Sequence, residues 1–395
     1  MTIGGSTIEA ELAALAPFAS PAPAITLDER LARIERARKL TRDAGADALI
    51  VGAGASLNYF AGVPWGASER LVAMLLPVSG DPVMICPAFE QGSLAADLAI
   101  DAGLRLWEED ESPFALTAAT LRDLGITALA VDPALAYDMV HRLGQAIAPV
   151  EIRDGSAIIH GCRMQKSPAE LALMKQAKAM TLAVHKATAR ILAPGITTTE
   201  VRRFIDQAHR KLGAAGSSFC IVQFGHATAY PHGIPGEQRL AENDLVLIDT
   251  GCTVHGYHSD ITRTYVFGDA TDDQRRIWDL EHAAQQAAFE AVRPGVLCEA
   301  VDAAARDLVT RAGLGPDYRL PGIPHRTGHG IGLSIHEPAY LVRGDKTPLA
   351  PGMCFSNEPM IVVPGRFGIR LEDHFYVTEE GAEWFTPPQP AIDAI

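Results

Sequence analysis

The stretch Leu245–Val266 constrains this chain more than any other. Two apolar, β-branched runs, Leu245-Val-Leu-Ile and Ile261-Thr-Arg-Thr-Tyr-Val, flank a glycine-containing turn, with Asp249 at one side and Asp260 at the other. The pattern predicts a β-hairpin. Pairing its strands brings together two carboxylates that lie eleven positions apart. Carboxylates do not gather within an apolar sheet unless a cation or a proton compensates them.

Three more candidate ligands lie downstream. His329 sits in Thr327-Gly-His-Gly-Ile-Gly, whose glycines permit close backbone approach. Glu358 sits in Asn357-Glu-Pro, and Glu372 in Gly368-Ile-Arg-Leu-Glu-Asp on a second predicted hairpin across 362–368. A single acid at a strand end is commonly a surface residue, but an unpaired charge inside an apolar strand is costly. Four carboxylates and one imidazole are balanced by two divalent cations. Oxygen donors with one nitrogen suit manganese, iron, cobalt or zinc better than copper, with manganese the foremost expectation. His232 and His336 are candidates to surround such a centre, and His325 is read as structural. The His336-Glu337 pair is not followed by a second histidine at the spacing of a zinc helix motif, and no phosphate-binding Gly-Lys-Ser/Thr occurs.

A formal charge of −14 provides no basic stripe for nucleic acid. Six scattered cysteines suggest a reducing compartment rather than a disulfide framework. No apolar run approaches the ~20 residues of a membrane helix, and residues 1–26 lack the basic start of a signal peptide, so a cytoplasmic protein is expected. At 395 residues, three segments are expected. Residues 1–25 read as a loosely held arm. Residues 26–157 alternate strand-like and helical runs, an α/β domain whose aromatic, Gly-rich segment Asn58–Gly66 reads as a loop with Trp65 near its tip. Residues 158–395 read as an α+β domain. Here helices over 168–192 and 197–213 precede strands, and helices over 272–292 and 298–312 precede strands again. Pro194-Gly195 and Pro294-Gly295 recur at an offset of 100 residues, which suggests an internal duplication.

Taken in order, Pro231-His-Gly, Asp249-Thr-Gly, Ser259-Asp-Ile-Thr-Arg-Thr, His325-Arg-Thr-Gly-His-Gly-Ile-Gly, His336-Glu-Pro, Asn357-Glu-Pro and Gly368-Ile-Arg-Leu-Glu-Asp resemble the creatinase/methionine-aminopeptidase superfamily. The likeness is greatest to Xaa-Pro dipeptidases (prolidases) and aminopeptidase P. It implies a duplicated "pita-bread" catalytic domain behind a creatinase-like N-terminal domain, and a homodimer. It further implies that Asp249 binds one metal, Asp260 and Glu372 bridge two, and His329 and Glu358 complete the second. Glu358 would also act as general base, while His232 and His336 contact the scissile carbonyl. A dipeptidase must read a free carboxylate, for which Arg370 and Arg343 are candidates; Trp65 is a candidate lid over a partner's site. Ala227 and Val254 depart from the asparagine and tyrosine frequent in the family. Aminopeptidase P, a lyase and a binding scaffold on the same fold are the alternatives.

Overall fold

Ser167 opens the catalytic half of the chain with a reciprocal cap: its hydroxyl accepts from the Glu170 N–H at 3.2 Å, and the Glu170 carboxylate accepts from the Ser167 N–H at 2.9 Å. With Pro168 in the first turn, this launches the 24-residue helix Pro168–Ile191. Thr197 and Glu200 repeat the device before helix Thr198–Lys211, and Thr271 and Gln274 repeat it before Asp272–Ala291. A fourth helix, Cys298–Arg311, follows.

This is a computed structural model that describes residues 3–395. Its chain divides into two units, Ile25–Arg163, and Met164–Ile395 together with the N-terminal segment as far as Ala24. In the larger unit each helix pair leads into an antiparallel sheet. The first sheet is ordered Ile261–Phe267, Asp244–Gly251, Phe219–Phe224. The second is ordered Glu337–Leu341, Gly328–Gly330, Cys354–Asn357, Asp373–Val377, Ala382–Trp384. Met360–Val363 and Phe367–Arg370 form a separate hairpin. One core joins Val184, Phe204, Ile205, Val222, Ile248 and Tyr265; another joins Trp278, Val301, Phe355 and Phe375. Each buries the apolar face of a helix pair against its own strands, so the helices-then-strands repeat is a repeat of packing as well as of order.

The N-terminal segment differs from the expected loose arm. Thr7 caps helix Ile8–Ala14, and Ile8, Leu12 and Leu15 pack on the core that contains Phe204. Their i, i+4, i+7 spacing makes one apolar stripe, which is why the segment docks. The Gly4 N–H also donates to Ala189 O at 2.8 Å.

The smaller unit is a six-stranded mixed sheet ordered Gly103–Trp107, Val83–Pro87, Ala73–Pro77, Ala48–Gly52, Ala128–Val131, Glu151–Asp154. Residues Ala55–Ala61 are helical where a loop was expected, and the turn begins only at Gly62, in the left-handed region. Tyr59 and Phe60 enter the interior, the Tyr59 hydroxyl donating to Cys162 O at 2.8 Å. Among the described residues no helix is long and apolar enough to cross a membrane.

Candidate metal centre

Register aims the acids. Asp249 lies on the middle strand of the three-stranded sheet, opposite Thr262. Alternation sends Arg263 the other way, into a fully buried pair with Asp373 at 2.6 Å. The Thr262 hydroxyl donates to Glu372 Oε2 at 2.8 Å, and the Glu372 N–H donates to Thr262 O at 3.1 Å, tying the two halves together at the candidate ligands. His329 is held at both ends: its N–H donates to Ser356 Oγ at 2.9 Å, and its Nδ1 meets Gly330 O at 3.0 Å, which leaves Nε2 facing the acids. A side chain at Gly328 would put its Cβ 2.0 Å from Ser356 O, so only glycine fits that approach. Ser356 Oγ in turn donates to Glu358 Oε1 at 3.1 Å.

His329 Nε2 stands 3.2 Å from Glu358 Oε1 and 3.7 Å from Asp260 Oδ2. Donors that share a cation at about 2.0–2.2 Å lie roughly 3–4.3 Å apart, so both spacings suit a common ion. Asp249 Oδ1, Asp260 Oδ1 and Glu372 Oε1 are buried without a hydrogen-bond partner. Burial, and then the neighbouring carboxylates Glu372 and Asp249, push the Asp260 carboxyl well above its ordinary value. Burial, followed by Glu358 and Asp249, does the same to Glu372. At Asp249 burial outweighs the pull of Arg370 and raises the carboxyl. At Glu358 burial acts upward too, but the bond to His329 and its charge outweigh burial and hold the carboxyl at about 2. Buried acids with unmatched oxygens fit divalent cations, as does the hard-oxygen donor set with one imidazole.

A cleft of about 350 Å³ opens over His329 and Glu358, with His232, His325, Arg326, His336 and Arg370 in its wall. The structure therefore brings Asp249, Asp260, His329, Glu358 and Glu372 together and sets His232 and His336 beside them. The His336 ring meets the His329 ring edge-on, centroids 4.2 Å apart. Partial desolvation in the cleft, then His329 and Arg326, push the His336 imidazole down to about 4. Behind it Glu337 is buried in an ion pair with Lys166 at 3.0 Å and accepts from the Ser334 N–H at 3.0 Å.

The two expected carboxylate-reading arginines fare differently. Arg343 is not in the cleft: its half-exposed guanidinium pairs with Asp317 at the surface. Arg370 lines the cleft, but each of its three nitrogens already donates within the protein, to Asp249, to Thr262 Oγ1 at 3.0 Å and to Pro231 O at 3.2 Å. Arg326, which the sequence did not single out, lies over the Tyr340 ring at 4.6 Å with no ion pair among the described residues. Its loop is fixed by Arg306, which donates to Ile323 O at 3.1 Å, and by Asp302, which accepts from Thr327. Trp65 belongs to the smaller unit, where its indole N–H donates to Asp97 at 2.7 Å. Ala227 is fully buried in a short helical turn, and Val254 lies in a two-residue ladder with Tyr257. Neither lines the cleft.

The model described as metallopeptidase family M24 matches residues 172–379, and the creatinase/prolidase N-terminal domain matches residues 33–165. The chain is 38% identical over 353 residues to a protein of Mycobacterium tuberculosis described as a probable dipeptidase PepE, covering 89% of this chain and 92% of that one. It is 32% identical over 359 residues to an Xaa-Pro dipeptidase of Lactobacillus helveticus, covering 89% and 96%. The crystal structure of dipeptidase PepE from Mycobacterium ulcerans superimposes with a TM-score of 0.85 at 36% identity, covering 93% of this chain and 98% of that one.

Proposed function

Because this chain belongs to metallopeptidase family M24, we propose that it hydrolyses the Xaa-Pro bond of dipeptides with the help of two divalent cations. Its catalytic unit has the pita-bread fold, and a creatinase/prolidase-type domain precedes it in sequence. The observation that carries the reading is the set of buried carboxylate oxygens without partners close to His329, which itself lines the cleft. Asp249, Asp260, His329, Glu358 and Glu372 would hold the cations. When bound, such cations lower the pKa of a water from 15.7 to about 7 and polarise a carbonyl.

The chain's own groups supply the rest. Glu358, kept ionised, takes a proton from the attacking water and delivers it to the departing prolyl nitrogen. That nitrogen bears no N–H in the substrate, so recognition there relies on shape rather than on a backbone hydrogen bond. His336 and His232, at the cleft wall, donate to the carbonyl oxygen as negative charge develops on it. Arg326 is the cleft guanidinium left to read the free carboxylate of a dipeptide.

Manganese heads the ions that suit this oxygen-rich set, with zinc, cobalt and iron behind it. A cytoplasmic homodimer, in which Trp65 limits substrate length at the partner's cleft, completes the proposal. The test is hydrolysis of Ala-Pro and Ala-Pro-Ala with added Mn²⁺, using Glu358→Ala as control. Cleavage of the dipeptide alone supports the proposal. Preference for the tripeptide assigns an aminopeptidase P, and cleavage of neither by a metal-loaded protein overturns the peptidase reading.

A further inference from the structure

His374 lies two residues beyond Glu372, and its imidazole is fully buried with neither ring nitrogen hydrogen-bonded. Between them Asp373 is committed elsewhere, to Arg263 at 2.6 Å and to Gln285 at 3.2 Å. His374 Nε2 instead stands 4.0 Å from Glu372 Oε1, an oxygen that itself lacks a partner. A nitrogen of His374 and oxygens of Asp260 and Glu372 all lie within 4.8 Å of one another. Leaving a buried polar group unbonded costs on the order of 1–3 kcal/mol, and an apolar residue would fill the same space without that cost. At 4.0 Å the nitrogen is too far from the carboxylate for a hydrogen bond. It is at a separation typical of two donors on one ion.

We propose that His374 is a sixth protein donor, binding through Nε2 a cation that Asp260 and Glu372 hold. The centre thereby gains a second imidazole, with His329 beside Glu358 and His374 beside Glu372. A second imidazole moves the preferred ion from manganese towards cobalt, iron and zinc, which take nitrogen more readily. The inference rests on the dinuclear centre and not on the choice of peptide.

The test uses full-length protein stripped of metal and reloaded with Co²⁺, with His374→Ala and His374→Asn alongside. X-ray absorption of the loaded wild type counts imidazoles directly: two nitrogens from histidine over two ions are expected. Equilibrium dialysis with metal analysis should show two ions in the wild type. In each variant one of the two should bind at least tenfold more weakly, with circular dichroism unchanged. A count of one imidazole over two ions in the wild type overturns the proposal without reference to any variant, as do variants that hold both ions with undiminished affinity. Failure to cleave Ala-Pro leaves the proposal standing and removes only the prolidase reading, because the readout is the metal. A wild type that binds no cation defeats both.

Discussion

Arg370, at the end of one hairpin, donates to the carboxylate of Asp249 on the middle strand of the other sheet, and both side chains are buried. Burial already raises the Asp249 carboxyl, and the guanidinium is the main opposing influence. Arg370→Met should therefore favour the protonated acid and oblige each incoming cation to displace that proton. The expected result is metal affinity at pH 7 lower by roughly 10–100-fold, read by calorimetric titration. Equal affinities in variant and wild type would show that Arg370 does not tune this ligand.

The Lys166–Glu337 pair anchors the segment that presents His336. Lys166→Met removes the cation that compensates a buried carboxylate, at a cost of about 3–5 kcal/mol, which lowers Tm on the order of 10 °C. Adding Glu337→Gln should recover much of that loss. Thermal melts of the two single variants and the double variant test the coupling, and simple additivity would contradict it.

Stability and pH are linked through Asp260 and Glu372, whose carboxyls lie well above their ordinary 3.8 and 4.5. A raised acid stabilises the fold below its unfolded value, and that contribution disappears as pH climbs through the folded value. Glu358, held at about 2, has the opposite sign, but its contribution is constant between pH 5 and 7. Between pH 5 and 7 that loss runs against the opposite effect of buried neutral imidazoles such as His185, His209 and His258, held at about 3 or 4, which make acid destabilising. The two acids are therefore read in the metal increment and not in the bare Tm. Cations reverse the loss, adding on the order of 10 °C when free metal exceeds Kd a thousandfold. Melts with and without metal at both pH values decide the matter; a metal increment that shrinks towards pH 7 contradicts the assignment.

Arg326→Met should raise KM for Ala-Pro roughly tenfold or more and leave Ala-Pro-amide nearly unaffected, because the amide lacks the charge the guanidinium reads. The comparison is a ratio of KM values within each enzyme. An unchanged ratio removes Arg326 from substrate recognition.

Trp65→Ala should increase the rate on Ala-Pro-Ala relative to Ala-Pro several-fold if the indole limits substrate length. Competition between the two peptides in one assay measures this directly. No change in the ratio would leave Trp65 with only its bond to Asp97.

The candidate ligand acids were legible because they adjoin apolar strand runs, and three of the four large helices because their caps are local. Strands Gly103–Trp107 and Glu151–Asp154 were not, since as sheet edges they expose much of their length and show little apolar alternation. The helix at Tyr59 and Phe60 was read as a loop because its neighbouring glycines outweighed a burial that only tertiary packing reveals. Arg343 was misjudged for a related reason: its partner Asp317 lies 26 residues away in an irregular segment. Arg326 and His374 escaped notice because their meaning lies in direction. One depends on a loop fixed by Arg306, the other on the commitment of Asp373 to Arg263.

The helix Ile8–Ala14 packs on residues that leave the ribosome long after it does; its Glu11 meets Arg190, 179 positions later. During synthesis the apolar stripe of Ile8, Leu12 and Leu15 must wait, uncovered, while the whole intervening domain emerges and folds. Nascent chains of this protein consequently carry an uncovered amphipathic helix for roughly 20–35 s at about 5–10 residues per second, an interval in which a chaperone has something to hold.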